Sequence, residues 1–161
     1  MTAEHQIESD QYQEVASLLV PLSESLLLLP NVTVAEIVPV SEIQSVDNAP
    51  DWLLGDVSWR ELDVPIISLE VMNGQSRPNF SSRCRIAVLN TTGISDSLSF
   101  IAILTQGLPR LARVTASEIT HLDDEIPAEY DELVVSWAGE RAVIPALSKI
   151  EQVYLEFSTQ R

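Results

Sequence analysis

Residues Ala49 to Glu70 read APDWLLGDVSWRELDVPIISLE. Pro50, Asp51 and Trp52 begin a new element, at most one helical turn. Gly55 then leads into two apolar runs, Val57 to Trp59 and Leu62 to Leu69. Arg60 and Glu61 stand between them, so the segment reads as a strand, a tight turn and a second strand. Side chains alternate across a strand, which puts Trp59 on the Val57 face and predicts its partial burial. The second run exits toward Asn73-Gly74-Gln75-Ser76-Arg77-Pro78, the clearest loop in the chain.

The same texture extends in both directions. Upstream, Ala16 to Leu22 and Ser25 to Leu29 are apolar runs around a polar break at Ser23-Glu24-Ser25, a plausible hairpin. Asn31 to Ile37 is ambiguous: Asn31 suits a helix cap, while Val32, Thr33 and Val34 favour strand. Downstream, strands are expected at Arg83 to Leu89, Ser99 to Thr105 and Leu108 to Val114. The span Ser117 to Glu132 reads as acidic and irregular. Leu133 to Trp137 and Arg141 to Ile144 form a hairpin around Ala138-Gly139-Glu140. After Pro145, Leu147, Ile150, Val153, Tyr154 and Phe157 recur at spacings of three and four, one stripe of a helix. Nine or so short strands and a terminal helix make a mainly β barrel or sandwich, with no βαβ alternation.

The 161 residues are expected to form a polar leader over residues 1–14 and a single domain over residues 15–161. Twenty-four acids against nine bases give a net charge of -15. That balance argues against nucleic acid, whose phosphates need Lys and Arg, and against an anionic membrane surface. Cys84 is the only cysteine, so no intrachain disulfide forms. On an alternating strand it shares a face with Ile86 and Val88 and is expected to be buried. The N-terminal residues lack the basic and apolar regions of a secretory signal, and Leu26 to Leu29 is too short to cross a bilayer. A cytoplasmic location is the expectation.

Catalytic patterns are missing. The chain has no phosphate-binding glycine loop, no C-x-x-C, no H-E-x-x-H and no G-x-S-x-G. His121 lies near Asp123, Asp124 and Glu125, a combination that mostly marks a solvated loop rather than a metal or hydrolytic site. No enzyme activity, cofactor or metal is expected. Trp52, Trp59 and Trp137 are candidates for binding hot spots or for core packing, with core favoured at Trp137.

The ordered set Pro50, Gly55, Arg60, Pro65, Ile66, Ile67 and Leu69 resembles the signature stretch of the CheW-like domain family. Val34-Ala35-Glu36-Ile37-Val38 resembles the family's short V-x-E-V/I element, and Gly107 and the final hairpin with its helix follow in the right order. The resemblance spans roughly residues 16 to 157. It implies two small five-stranded β-barrels around a shared hydrophobic core with a C-terminal helix. It also implies a non-catalytic adaptor that couples chemoreceptor cytoplasmic tips to a CheA-type histidine kinase by docking on the kinase's own CheW-like regulatory domain, and that contacts other CheW-like proteins. An acidic, divergent member fits an accessory adaptor, such as those of type IV pilus systems that control twitching motility.

On this reading the partner-binding residues are Arg60, Trp59 and Trp52, with Glu36, Val57 and Leu54. The apolar edges Val34 to Val38 and Leu54 to Ile67 would pack against an analogous barrel. Where the family commonly has glycine after the hairpin arginine, this chain has Glu61. Glycine suits such turns because it tolerates positive φ, so Glu61 implies a different turn, or one whose tip is Leu62-Asp63. It also implies an Arg60–Glu61 pairing that would mute the receptor contact. Two rival readings are a β-barrel that binds a small ligand in a cavity lined by the tryptophans, and a hydrolase using His121.

Overall fold

Several strands are apolar at every position rather than every second one, and the architecture explains why. The computed structural model describes residues 13–160. Eleven strands are present among them: β1 (Glu14–Pro21), β2 (Leu26–Pro30), β3 (Val34–Pro39), β4 (Leu53–Trp59), β5 (Leu62–Ile67), β6 (Arg85–Asn90), β7 (Phe100–Thr105), β8 (Arg110–Thr115), β9 (Ile119–His121), β10 (Asp131–Trp137) and β11 (Glu140–Pro145). Two helices join them, α1 (Leu69–Met72) and α2 (Leu147–Ser158). One sheet has the order β8-β1-β2-β11-β10-β9 and the other β3-β6-β7-β5-β4.

Each sheet curls around an interior, and the two outer faces meet. In the second sheet Ile86, Val88, Ala102, Leu104, Val64 and Ile66 line the interior. Their strand neighbours Ala87, Leu89, Ile101, Ile103 and Ile67 face the other way, into a core shared with Val20, Leu27, Leu29 and Val143 of the first sheet. Leu19 and Leu28 turn instead into the first sheet's own interior. A period of two thus sends alternate residues to two different cores, and both must be apolar. Runs such as Leu26 to Leu29 follow directly.

The helical stripe behaves as its spacing predicts. Leu147, Ile150, Val153, Tyr154 and Phe157 all pack on the shared core. Cys84 is 2% exposed and packs with Ile86 and Val88. Three segments differ from the sequence reading. Asn31–Thr33 forms a 3-10 turn and Val34–Pro39 a strand; the strand reading holds from Val34 onward, whereas Asn31 lies inside the turn, whose cap position is Pro30, and the Asn31 side chain makes no cap. The second run of the central segment ends as strand at Ile67, because the Ser68 hydroxyl accepts from the Val71 amide and starts α1. The acidic span yields β9, paired with β10, which gives the first sheet six strands rather than five. The leader expected over residues 1–14 lies outside the described residues except at its end, where Glu14 opens β1.

Two buried carboxylates fasten one sheet to the other. Glu70 of α1 is 2% exposed; its Oε2 accepts from the Ser23 amide (3.3 Å) and hydroxyl (3.0 Å), in the β1–β2 turn. Glu151 of α2 is 1% exposed; its Oε1 accepts from the Thr92 amide (2.9 Å) and hydroxyl (3.1 Å), beyond β6. The second sheet's helix holds a turn of the first, and the first sheet's helix holds a loop of the second.

Gly55 closes the second sheet. Gln44 and Asp56 exchange two backbone hydrogen bonds of 2.8 Å, so the chain leaving β3 reaches across to β4 and joins the sheet's two edges. Gly55 has φ 141° at a register shift in β4, and a Cβ there would press on Gln44 O and lie 2.7 Å from Ile43 Cγ2. Only glycine gives both the backbone angle and the clearance. Gly55→Ala is therefore expected to destabilise the fold by about 2 kcal/mol or more. Thermal melting should show a drop of roughly 5 °C; an unchanged melting temperature would refute the steric account.

Candidate interaction site on the second sheet

The β4–β5 hairpin carries the sequence's leading candidates. Trp59 pairs with Leu62, so Arg60 and Glu61 alone form the turn. Both have positive φ, 48° and 64°, the pattern of a type I′ turn. The expectation that Glu61 would change the turn or move its tip to Leu62-Asp63 is overturned. Strand twist dictates the turn, and Glu61 adopts the conformation glycine would take. The β10–β11 hairpin makes the same kind of turn at Ala138-Gly139, with glycine at its second position.

Arg60 does not pair with Glu61, also against expectation. Its guanidinium donates to Glu36 Oε1 at 3.2 Å and lies 4.5 Å from the centre of the Trp59 ring. The same Glu36 oxygen accepts the indole N–H of Trp59 at 3.3 Å. Trp59 is 7% exposed and meets Phe100 edge-on, ring centres 4.8 Å apart. The two bonds to Glu36 differ in weight. An exposed ion pair contributes about 0–1 kcal/mol, whereas a buried N–H left without an acceptor costs about 1–3 kcal/mol. Glu36 therefore serves Trp59 first, and Arg60 is held above them with its side chain 67% exposed. A bulge positions Glu36: the β3–β6 register shifts between Val34 and Glu36, which turns Glu36 to Trp59's side of the sheet.

The remaining candidates are more deeply placed. Leu54 and Val57 are 8% and 2% exposed and lie in the second sheet's interior. The structure thus corrects their reading as contact residues: alternation points Val57 inward with Trp59, and the register shift between Leu53 and Gly55 sends Leu54 into the same interior. Val34 to Val38 and Leu54 to Ile67 likewise direct their apolar side chains at the two cores, except Leu62, which is 46% exposed beside the turn, and the strand edges of β3 and β4 are joined through Gln44 and Asp56. Trp52 is half-buried, edge-on to Phe157 of α2 with ring centres 6.3 Å apart. Trp137 packs against the first sheet's interior. His121 lies exposed in β9. Among the described residues no group of three or more His, Cys, Asp or Glu side chains is arranged to hold a metal, and no helix is long and apolar enough to cross a membrane.

One feature escaped the sequence reading. Val32 and Leu111 are 85% and 74% exposed, and Leu111 lines a cleft of about 330 Å³ with Ala16, Ser17, Asn31 and Arg113. Leu111 follows the alternation of β8, whose inward residue is Ala112. An apolar residue at an outward position was the available signal.

The chain matches the CheW-like domain model over residues 16–153 and belongs to that family. No curated protein matches it significantly in sequence. Among solved structures it is similar to the scaffolding protein TtCheW from Thermoanaerobacter tengcongensis, at 16% identity and a TM-score of 0.70, over 83% of this chain and 84% of that one. At that identity the likeness is one of fold.

Two substitutions probe the hairpin turn and, separately, the acidic span of the first sheet. Glu61→Gly relieves a left-handed backbone and is expected to stabilise the protein by about 1 kcal/mol, raising the melting temperature by about 3 °C. A lower melting temperature would mean that the Glu61 side chain contributes more than its strain costs. Asp131 accepts from the Asn73 side-chain amide at 3.1 Å. Burial raises its carboxyl above the ordinary value, against the lowering effects of that bond, a backbone bond with Ala128 and the charge of Arg141. The folded state thus holds the Asp131 proton more tightly than the unfolded chain. Its contribution to stability is complete below the unfolded value and is lost as pH rises through the folded one. Asp131→Asn keeps an acceptor for Asn73 and removes that loss. Urea unfolding is expected to find the variant at least as stable as wild type at neutral pH, with the gap closing on the acid side.

Proposed function

We propose that the protein is a non-catalytic adaptor of a bacterial chemosensory array, joining chemoreceptor tips to a CheA-type histidine kinase by protein–protein contact. Membership of the CheW-like family over residues 16–153 supports the adaptor role. The observation that carries the site is the Glu36–Trp59–Arg60 cluster. A strained two-residue turn and a buried indole present one arginine at a fixed place on an otherwise acidic protein. Strain of this kind is held only where the surroundings over-determine it, and it gathers at functional positions.

Arg60 is the contact residue in this reading. Trp59 and Glu36 position it, and Trp52 sets the base of β4 against α2. The exposed Leu111 and Val32 offer a second, apolar face for another component of the array. The kinase's own CheW-like regulatory domain is the first partner to try, and other CheW-like proteins the next. Residues 15–161 are taken as a single CheW-like domain acting in the cytoplasm. The net charge of -15 and the glutamate after Arg60 favour an accessory adaptor, of the sort used in pilus-driven twitching motility. The small-ligand reading has less support. The tryptophans are engaged in packing, and neither the cavity beside α1 nor the one beside the Gln75–Asn79 loop is lined by one.

Titration calorimetry of the intact protein against a histidine kinase regulatory domain, and against a receptor signalling tip, tests the proposal. Binding is expected to at least one of them. Arg60→Ala should weaken it about tenfold or more while leaving the melting temperature within a degree or two. No binding to either, or binding indifferent to Arg60→Ala, would overturn the assignment.

A further inference from the structure

Positive charge is unevenly spread along the chain. Between Glu70 and Asp96 there is no acidic residue, yet Arg77, Arg83 and Arg85 all fall there, three of the nine bases in a protein with 24 acids. Among the described residues the other arginines each have a carboxylate within 4.0 Å: Glu36 for Arg60, Glu140 for Arg110, Glu14 for Arg113 and Glu125 for Arg141. Among the described residues none of Arg77, Arg83 and Arg85 takes part in an ion pair.

These three belong to a folded loop. Its turn is closed by a bond from the Cys84 amide to Ser81 O at 3.1 Å, and the buried Cys84 thiol donates to Asn79 O at 3.7 Å. The Arg85 guanidinium folds back on the carbonyls of Ser82 and Cys84, at 3.1 and 2.8 Å. Arg77 and Arg83 are exposed. Between them stands Phe80, half exposed to solvent, while its neighbour Pro78 is buried. Glu24 is the one carboxylate that lines the cavity beside Arg77, and no ion pair joins them. The loop therefore shows an aromatic ring flanked by two unpaired guanidinium groups, on a background of opposite charge.

We propose that the Arg77–Arg85 loop is a docking surface for an acidic segment of a partner protein, independent of the Arg60 site. Arginine forks match carboxylates in paired hydrogen bonds, and an aromatic anchor between arginines has the composition of a binding hot spot. The partner is protein rather than nucleic acid or membrane. Three arginines neutralise few phosphates, and the remaining surface repels an extended polyanion. A short acidic segment escapes most of that repulsion, because charges beyond about 10 Å are screened at 0.1 M salt.

A fluorescent peptide with the sequence of residues 118–132, EITHLDDEIPAEYDE, serves as the acidic probe in anisotropy titrations of the intact protein. Saturable binding is expected at low salt, weakening severalfold as salt rises. The same peptide with its Asp and Glu changed to Asn and Gln should not bind. Arg77→Ala with Arg83→Ala should reduce affinity about tenfold, and Phe80→Ser should reduce it further. Neither arginine side chain makes a bond within the described protein, so these variants should melt as wild type does. A charge-retaining pair, Arg77→Lys with Arg83→Lys, should recover part of the binding. Equal binding by wild type and the double alanine variant would overturn the proposal, as would no binding to the acidic peptide. Tighter binding to single-stranded DNA or to anionic vesicles than to the peptide would also overturn it.

Discussion

Two carboxylates in the dry centre of the molecule set the relation between its two sheets. Glu70 and Glu151 are nearly inaccessible to water, and a buried carboxylate costs several kcal/mol unless donors surround it. Each finds the same pair of donors, a backbone amide and the hydroxyl of the same residue, Ser23 in one case and Thr92 in the other. Each also reaches from the helix that follows one sheet to a turn belonging to the other. Sliding the sheets over their shared apolar core would cost little in area but would strip both carboxylates of their donors in the opposite sheet. Hydrophobic contact supplies the cohesion, and the carboxylates fix which arrangement it takes. The two are not equivalent, because among the described residues Glu151 Oε2 has no hydrogen-bond partner whereas both Glu70 oxygens are engaged.

The architecture was legible where one physical rule governs. Strand runs, the final hairpin and the α2 stripe all follow from periodicity, and Cys84 falls in the core because alternation puts it there. The rule fails where a bulge resets it. Glu36 comes to face Trp59 only because β3 carries an extra residue, and bulges leave no periodic trace in a sequence. The Arg60–Glu36 pair was hidden for the same reason, and the adjacent Glu61 was the more obvious partner on paper. Leu54 and Val57 show the opposite error. They belong to a segment rich in family resemblance, but what the resemblance records there is the fold, and both side chains serve the core.

The acidic span illustrates why composition alone misreads local order. Residues 117–132 carry the charge of a solvated loop, yet they are tied down at several points. Arg141 meets Glu125 at 2.9 Å, Asn73 bonds both Asp131 and the Tyr130 amide, and Lys149 reaches Glu129 O at 2.7 Å. These anchors come from β11, the C-terminal cap of α1, and α2, all outside the span itself. Such bonds order a polar segment without burying apolar area, and no local pattern announces them.

The hairpin tip joins these themes. A two-residue turn between twisted strands needs positive φ at both positions, so Arg60 and Glu61 accept a conformation that side chains with a Cβ avoid. Glycine in place of Glu61 would ease the strain but would leave the backbone beside Arg60 freer to move. A non-glycine residue restricts the turn to fewer conformations once the strands have imposed it. The indole beneath and the carboxylate beside Arg60 restrict its side chain in turn. An arginine held this way loses less conformational freedom on meeting a partner than one on a mobile loop, which is what the contact proposed for Arg60 would require.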